Sequence, residues 1–205
     1  MFMKTPTALV LAAMLSFGAL AGCATETQES LVEAQATEGV ESDALVVEDV
    51  PNLFKVRAGV FRGGRPTVAG YAKLKALGVK TVINLEIADI VEAKQADIDS
   101  DRANAIAAGM RWVHIPMPAY STGLAARFDA KVNKALSLLK DHGTEGIYLH
   151  CKHGRDRTGL VMALDRVENE GWAAQRAYDE MLARGFRTYF VGLKEYFKRR
   201  SNLGD

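Results

Sequence analysis

A cysteine and an arginine six positions apart, Cys151 and Arg157, are the residues of this sequence best suited to chemistry. They lie in the segment His150-Cys151-Lys152-His153-Gly154-Arg155-Asp156-Arg157-Thr158-Gly159. A thiolate is a strong nucleophile, and the planar guanidinium of arginine can bind two oxygens of one phosphate. Apolar patterns predict a strand over residues 146–150 and a helix over about 157–169. A loop between them turns its backbone N–H groups inward, where they form a site for a tetrahedral oxyanion.

These residues predict phosphoryl transfer through Cys151. The field of the loop is expected to lower the pKa of this thiol, so that it is nucleophilic at neutral pH. Arg157 is expected to hold the phosphorus in line with the sulfur, and Gly154 allows the positive φ that a tight loop requires. Two displacements follow: Cys151 attacks to form a thiophosphoryl intermediate, and water then releases inorganic phosphate.

Other interpretations of the segment are less favoured. A buried structural thiol is one alternative for Cys151, but the neighbouring glycine and charges argue against it. His150, Cys151 and His153 are possible metal ligands, but side chains so close together at a strand end point in different directions. A rhodanese-type sulfurtransferase also uses a cysteine in an anion-binding loop, although an arginine at the sixth place favours phosphate chemistry. We expect no metal or organic cofactor, so activity should survive EDTA.

The pattern Cys-x5-Arg-Thr between a strand and a helix resembles that of the protein tyrosine phosphatase superfamily. Upstream, residues 60–67 and 77–85 resemble the opening strand, helix and second strand of compact dual-specificity-like phosphatases. The resemblance covers about residues 55–200. It implies an α/β fold in which helices flank a central, mostly parallel sheet, and the activity of a phosphoric monoester hydrolase.

The resemblance also implies roles for individual residues. Thr158 would hydrogen-bond the sulfur and ease its departure in the second step, and His150 would orient the loop rather than act as a base. Arg62 and Arg65 would line the rim of the site, although a structural salt bridge is at least as good an interpretation of either one.

The general acid is the residue that the resemblance does not supply. Most of these phosphatases carry an aspartate on a mobile loop, about thirty residues before the cysteine, that protonates the leaving oxygen. Residues 116–123 of this sequence contain no carboxylate. Asp156 is a replacement, since Gly-x-Asp-Arg-Thr resembles the loops of myotubularins and of bacterial lipid- and phosphotyrosine-directed phosphatases. A structural partner for a neighbouring arginine is its other interpretation, and Asp89 and Asp129 are lesser candidates.

Strand and helix patterns alternate from residue 55 onward, which favours one α/β domain with functional loops at the carboxyl ends of its strands. The predicted strands cover residues 59–62, 80–85, 111–115 and 146–150. The predicted helices cover 67–78, about 92–108, a stretch through Phe128 and Leu139 that ends before Gly143, and about 157–169, 173–184 and 190–200.

Composition limits the class of protein. The chain has 205 residues, a net charge of +1 and two cysteines, which argues against a nucleic-acid binder, a disulfide scaffold or a transmembrane bundle. Charge is unevenly distributed: residues 24–50 hold eight acids and no Lys or Arg, whereas residues 51–205 hold 25 basic and 17 acidic residues, a net charge of +8. A basic domain of this kind is suited to anionic ligands.

The N-terminus is typical of a targeting segment. Lys4 precedes an apolar stretch from Ala8 to Leu20, and Leu20-Ala21-Gly22-Cys23 resembles the lipobox of bacterial lipoproteins. We therefore predict a lipoprotein signal peptide over 1–22, lipidation of Cys23, an acidic flexible tether over 23–50 and the phosphatase domain over 51–205. An ordinary signal peptide is the alternative. The domain is expected outside the cytoplasm, lipid-anchored to a bacterial membrane in the periplasm or at the outer membrane.

The substrate is inferred from the charge of the loop. Lys152, His153, Arg155 and Arg157 exceed what a single phosphate monoester needs, which favours several phosphates on one molecule. We therefore expect an inositol polyphosphate such as phytate, as in the phytase-like branch, with a phosphoprotein or a phosphoinositide as alternatives. The predicted binding residues are Lys152, His153, Gly154, Arg155, His150 and Arg62. We expect a monomer whose partners are this substrate and the membrane.

Two functions of other classes remain open at this point. One is a non-catalytic lipoprotein that uses the loop as a phosphate receptor, and the other is an interaction protein whose acidic tether binds a partner. The triad of Cys151, Arg157 and Thr158 favours an enzyme.

Overall fold

Five strands form the sheet that positions the loop. They are β1 Phe54–Arg57, β2 Val60–Gly63, β3 Thr81–Asn84, β4 Arg111–His114 and β5 Ile147–His150. The computed structural model describes residues 48–89, 93–119 and 126–204. The strand order is β1-β2-β5-β3-β4, and every neighbouring pair is parallel except β1 with β2. The predicted α/β fold with a mostly parallel sheet is therefore confirmed.

Six α-helices are present in the described part of the chain. They are α1 Val68–Ala76, α2 Gln95–Ala107, α3 Ala126–His142, α4 Asp156–Glu168, α5 Ala174–Ala183 and α6 Val191–Ser201. The Thr67 hydroxyl caps α1 by accepting from the backbone N–H of Gly70 at 3.3 Å, which is the role expected of a threonine before a helix.

The sheet separates two hydrophobic cores, because successive side chains of a strand point to opposite faces. Tyr148 of β5 packs in one core with Tyr71 and Leu74 of α1. Leu149 packs in the other core with Leu160 of α4. All residues of β3 and β5 are buried, as expected for strands covered on both faces. Since β5 lies between β2 and β3, the loop that follows it opens at the centre of the carboxyl edge.

Three local features differ from the prediction. β1 was not predicted, because four residues of alternation do not distinguish a strand from a turn. α2 begins at Gln95 rather than near residue 92, since the Asp97 carboxylate accepts from the backbone N–H of Lys94 at 3.1 Å and caps the helix there. Leu77, which lies inside the predicted helix over 67–78, follows α1 as its C-cap and is 38% exposed.

The contacts of the domain begin before residue 51. Val50 is 1% exposed and packs in the hydrophobic core that contains Tyr71 and Leu74 of α1. Asp49 accepts hydrogen bonds from the hydroxyl and the backbone N–H of Thr67. Residues 1–47, with the predicted signal peptide, Cys23 and most of the tether, lie outside the described residues. None of the helices described in residues 48–204 is long and apolar enough to span a membrane.

Candidate active site

The anion loop, residues 151–155, joins β5 to the first turn of α4. Two donors hold it from the β2 side of the sheet. The backbone N–H of Arg65 donates to the carbonyl of Lys152 at 3.2 Å, and the Asn52 amide donates to the carbonyl of His153 at 2.7 Å. These bonds engage the carbonyl groups of Lys152 and His153, so contacts with the segments before β1 and after β2 hold the loop in this conformation.

Cys151 lies at the base of this loop with 2% of its surface exposed. Burial raises the pKa of the thiol, but the charge of Arg157, the hydroxyl and N–H of Thr158 and the N–H of His153 lower it by more. The pKa of Cys151 therefore lies below its ordinary value, so that a larger fraction is thiolate at neutral pH. Within the described residues, the buried Thr158 hydroxyl makes no hydrogen bond that would compete with the sulfur.

Arg157 is buried beside the cysteine in the first turn of α4. Its Nη1 donates to the carbonyl oxygens of Leu85 and Met117, each at 3.3 Å. Leu85 follows β3 and Met117 follows β4, so the ends of two strands hold the guanidinium at the carboxyl edge of the sheet. A guanidinium held in this way can bind a phosphate bidentately with little loss of side-chain entropy.

Arg62 supports the loop from beneath instead of lining its rim. The side chain is 3% exposed, and its Nη2 donates to the carbonyl of Gly154 at 2.9 Å. Burial lowers the pKa of Arg62 to about 10, so the guanidinium is charged at neutral pH. Arg65 donates to both carboxylate oxygens of the fully buried Glu86. This is the structural salt bridge that the sequence offered as the alternative to a place at the rim.

Gly154 fits a position that no other residue can take without displacement. Its φ is +70°, and a Cβ there would lie 2.3 Å from the carbonyl carbon of Gly63 and 2.5 Å from the nitrogen of Gly64. We expect Gly154→Ala to displace the loop and to lower kcat/KM for p-nitrophenyl phosphate by roughly 10²-fold, because the loop sets the attack geometry. Steady-state kinetics and a thermal melt measure the effect.

Gly171→Ala is the matched control for this substitution. Gly171 has a φ of +72° and no atom within 4 Å of the added Cβ, so it carries the backbone strain of about 1–2 kcal/mol without the clash. We expect a lower Tm and unchanged kcat/KM. Equal kinetic losses in the two variants would contradict the argument from close packing.

His150 is fully buried on the opposite face of the sheet from the cysteine side chain. Its ring stacks on Tyr148 with centroids 5.5 Å apart, and its Nε2 lies 3.4 Å from Oδ1 of Asp101 in α2. Because His150 is held on both sides, it can orient Cys151, the first residue of the loop. Its buried ring cannot reach solvent and so cannot act as a catalytic base.

An exposed cationic surface surrounds the opening of the loop. Lys152, His153 and Arg155 are all exposed. Burial lowers the pKa of His153, and the charges of Arg187 and Lys152 lower it further, which favours the neutral imidazole at neutral pH. Arg187, which sequence reasoning did not select, adds a fourth basic group to this surface.

Asp156 is engaged by Arg187. Its Oδ1 accepts from the Arg187 backbone N–H at 3.0 Å, and its Oδ2 accepts from Arg187 Nη2 at 2.5 Å. The carboxylate is 5% exposed in its side chain. These contacts agree with the interpretation of Asp156 as a structural partner for an arginine. They also connect the segment between α5 and α6 to the end of the loop.

The two lesser acid candidates lie elsewhere in the chain. Asp89 is exposed in the turn after β3, where its backbone N–H donates to the carbonyl of Ala93 at 3.0 Å. Asp129 accepts a hydrogen bond from the Tyr196 hydroxyl at 2.5 Å and lies 3.8 Å from Arg200, both on α6. Residues 120–125 of the stretch before α3 lie outside the described residues.

No group of three or more metal-binding side chains occurs among residues 48–89, 93–119 and 126–204.

Sequence reasoning missed Asp101 and Glu86, the buried carboxylates near His150. A signal for Asp101 exists: it lies between Ile98 and Ala105 on the buried face of α2, where a carboxylate must have polar partners.

Comparison with known proteins gives consistent matches. The family model of the DSP-PTPase phosphatase of polymorphic toxin systems matches residues 56–168. The dual specificity protein phosphatase TpbA of Pseudomonas aeruginosa is 33% identical over 180 residues, which cover 87% of this chain and 71% of TpbA.

Two further matches are a TpbA complex with phosphotyrosine and an inositol diphosphatase. The crystal structure of a Cys-to-Ser variant of P. aeruginosa TpbA in complex with phosphotyrosine matches with a TM-score of 0.58 and 26% identity, covering 80% of this chain and 99% of that chain. An inositol diphosphatase of Arabidopsis thaliana is 24% identical over 168 residues, covering 69% of this chain and 65% of its own length.

Proposed function

Since the chain belongs to the DSP-PTPase phosphatase family and is a phosphoric monoester hydrolase, we propose that it works through a thiophosphoryl intermediate on Cys151. The observation that carries this proposal is the pairing of a thiol of lowered pKa with a guanidinium fixed by two backbone carbonyls, at the closed end of one loop. A phosphate bound there faces the sulfur, the loop N–H groups and Arg157 together.

The proposed reaction has two steps at phosphorus. In the first, the Cys151 thiolate forms the S–P bond while the P–O bond to the leaving group breaks, and the leaving oxygen takes a proton from solvent water. In the second, the oxygen of a water molecule attacks phosphorus, the S–P bond breaks and inorganic phosphate leaves. The Thr158 hydroxyl lowers the pKa of Cys151 and makes no hydrogen bond within the described residues, so in this proposal it is the donor that stabilises the departing thiolate.

An inositol polyphosphate such as phytate is the substrate we propose. The exposed Lys152, His153 and Arg155, together with Arg187, can contact phosphates other than the one bound by Arg157. The inositol diphosphatase relative supports this choice. A phosphotyrosine protein is the second candidate, supported by the TpbA complex with phosphotyrosine.

The proposed location is the surface of a bacterial membrane outside the cytoplasm. It rests on the lipobox-like residues 20–23 and on the acidic stretch that follows them. A lipid on Cys23 would hold the domain at the membrane, where phosphate released from a soluble substrate can be taken up.

We expect the double variant Lys152→Gln, Arg155→Gln to raise KM for phytate by roughly 3- to 10-fold, because two exposed charges each contribute up to about 1 kcal/mol to a charged contact. KM for a phosphotyrosine peptide is expected to change by less than about 2-fold. The measurement is inorganic phosphate release from phytate, the peptide and a phosphoinositide at low salt.

The control removes equal charge elsewhere through Lys75→Gln, Arg102→Gln, two exposed positions on α1 and α2. It separates local contacts from a change of net charge. A wild-type protein that prefers the peptide at low salt would refute phytate as the substrate, and it would leave the phosphatase mechanism in place.

A further inference from the structure

The buried carboxylate of Asp101 has a complete set of neutral hydrogen-bond donors. Oδ2 accepts from the Asn84 amide at 2.8 Å and from Trp112 Nε1 at 2.6 Å, and Oδ1 accepts from the Tyr71 hydroxyl. The residue is 2% exposed. Burial alone raises the pKa of Asp101, but His150, Tyr71 and Asn84 lower it by more, so a carboxylate anion lies inside the protein at neutral pH.

A buried anion of this kind is stable only beside a positive charge. A protonated His150 can supply it, since its Nε2 lies 3.4 Å from Asp101 Oδ1, within ion-pair distance although without hydrogen-bond geometry, and neither residue is exposed. On the other side of the ring, Nδ1 lies 3.9 Å from Oε1 of Glu86. Glu86 is already paired with Arg65, which donates to both of its carboxylate oxygens. Arg65 also acts on Asp101 electrostatically, but His150 is the basic side chain that lies within 4 Å of the Asp101 carboxylate.

The surroundings of the ring favour its protonated form. Burial lowers the pKa of His150, but Asp101, Glu86 and the Cys151 thiolate raise it, and the net direction is upward. The titratable groups that face the ring or its two carboxylates are Tyr71 of α1, Asp101 of α2, Glu86 after β3, Tyr148 of β5, Cys151 of the loop and Arg65 after β2. His114 of β4 contacts the backbone carbonyl of Glu86.

We propose that Asp101 is a positioning residue of the phosphatase site, which holds His150 as an oriented imidazolium beside the first residue of the anion loop. The proposal rests on the proposed function, because it assigns Asp101 an effect on the nucleophile Cys151. The contact runs from α2 through the ring to the carboxyl end of β5. The ring and the Cys151 side chain lie on opposite faces of the sheet but interact electrostatically, so a positive charge on the ring favours the thiolate.

Wild-type protein provides the first test. We expect ¹⁵N NMR of the His150 ring to show both nitrogens protonated at pH 7. A neutral ring at that pH would overturn the proposal. This measurement needs neither substrate nor turnover, so its failure is distinguishable from a failure of the proposed function, which the loss of phosphate release on substitution of Cys151 tests separately.

Asp101→Asn provides the second test, with the sign of the effect as its criterion. With the carboxylate gone, burial is expected to lower the pKa of His150 far enough to leave the ring neutral at pH 6, and alkylation of Cys151 by iodoacetamide at that pH is expected to slow by roughly 3- to 10-fold. If His150 kept its charge without Asp101, the lost negative charge would speed the alkylation. Faster or unchanged alkylation therefore overturns the proposal.

Tyr71→Phe is the matched control, because it removes one neutral donor to Asp101 and leaves the carboxylate charge. We expect a charged His150 ring and an alkylation rate within about 2-fold of wild type. A slowing equal to that in Asp101→Asn would show a packing effect and contradict the role of the charge. If Asp101→Asn does not fold, the ring spectrum of the wild-type protein decides the question.

Discussion

Cys151→Ser is expected to lower the rate of phosphate release by at least roughly 10³-fold. The groups that lower the pKa of the cysteine, Arg157 and the donors of Thr158 and His153, cannot ionise a serine hydroxyl near neutral pH. The change is nearly isosteric, so the loop N–H groups and Arg157 still bind the phosphate. Single-turnover release of inorganic phosphate measures the loss, and calorimetric titration with phosphate measures the binding that remains.

The same pair of measurements distinguishes the enzyme from a phosphate receptor. An enzyme loses release and keeps binding in Cys151→Ser. A receptor binds phosphate with the same affinity in both proteins and releases none from any ester in either. Release at the wild-type rate from the variant would contradict the assignment of the nucleophile to Cys151.

Arg157→Lys is expected to lower kcat/KM by roughly 10²- to 10³-fold. Lysine keeps the positive charge near Cys151, but it lacks the planar fork that binds two phosphate oxygens and it cannot reproduce the bonds to the carbonyls of Leu85 and Met117. The thiol is therefore still ionised while the transition state loses its bidentate partner. Steady-state kinetics with p-nitrophenyl phosphate measure the loss.

Arg102→Lys is the control, since Arg102 is exposed on α2 and its substitution should leave kcat/KM unchanged. Iodoacetamide alkylation of Cys151 in Arg157→Lys separates the two effects of the residue. We expect a rate within about 3-fold of wild type, because the charge is retained. An Arg157→Lys variant with full activity would contradict the role of the guanidinium.

The sequence was sufficient to place the loop within the fold. The buried strand over 147–150, the cysteine that follows it and the helix from Asp156 are local features, because periodicity and loop spacing are properties of neighbouring residues. The parallel sheet followed from the alternation of strands and helices. Gly154 was selected for its φ, and the structure adds that its close neighbour is the backbone of Gly63.

The contacts between distant segments were not predictable from the sequence. Arg187 binds Asp156 from 31 positions away, and Asp101 lies 30 positions from the hydroxyl of Tyr71. Such pairs depend on how helices pack on the sheet, which local patterns do not encode. Arg62 illustrates the difference: its type suggested the rim of an anion site, whereas its position in the middle of β2 buries it beneath the loop.

A phosphoryl group on the Cys151 sulfur is the species that distinguishes covalent catalysis by this residue from direct attack of water on the substrate. We would quench turnover of p-nitrophenyl phosphate with denaturant at successive times and search the peptides by mass spectrometry. We predict a burst of p-nitrophenol equal to the enzyme concentration, with phosphate on the peptide that contains Cys151 and loss of this phosphate during a chase. Turnover with no burst and no phosphorylated Cys151, or turnover that persists in Cys151→Ser, would contradict it.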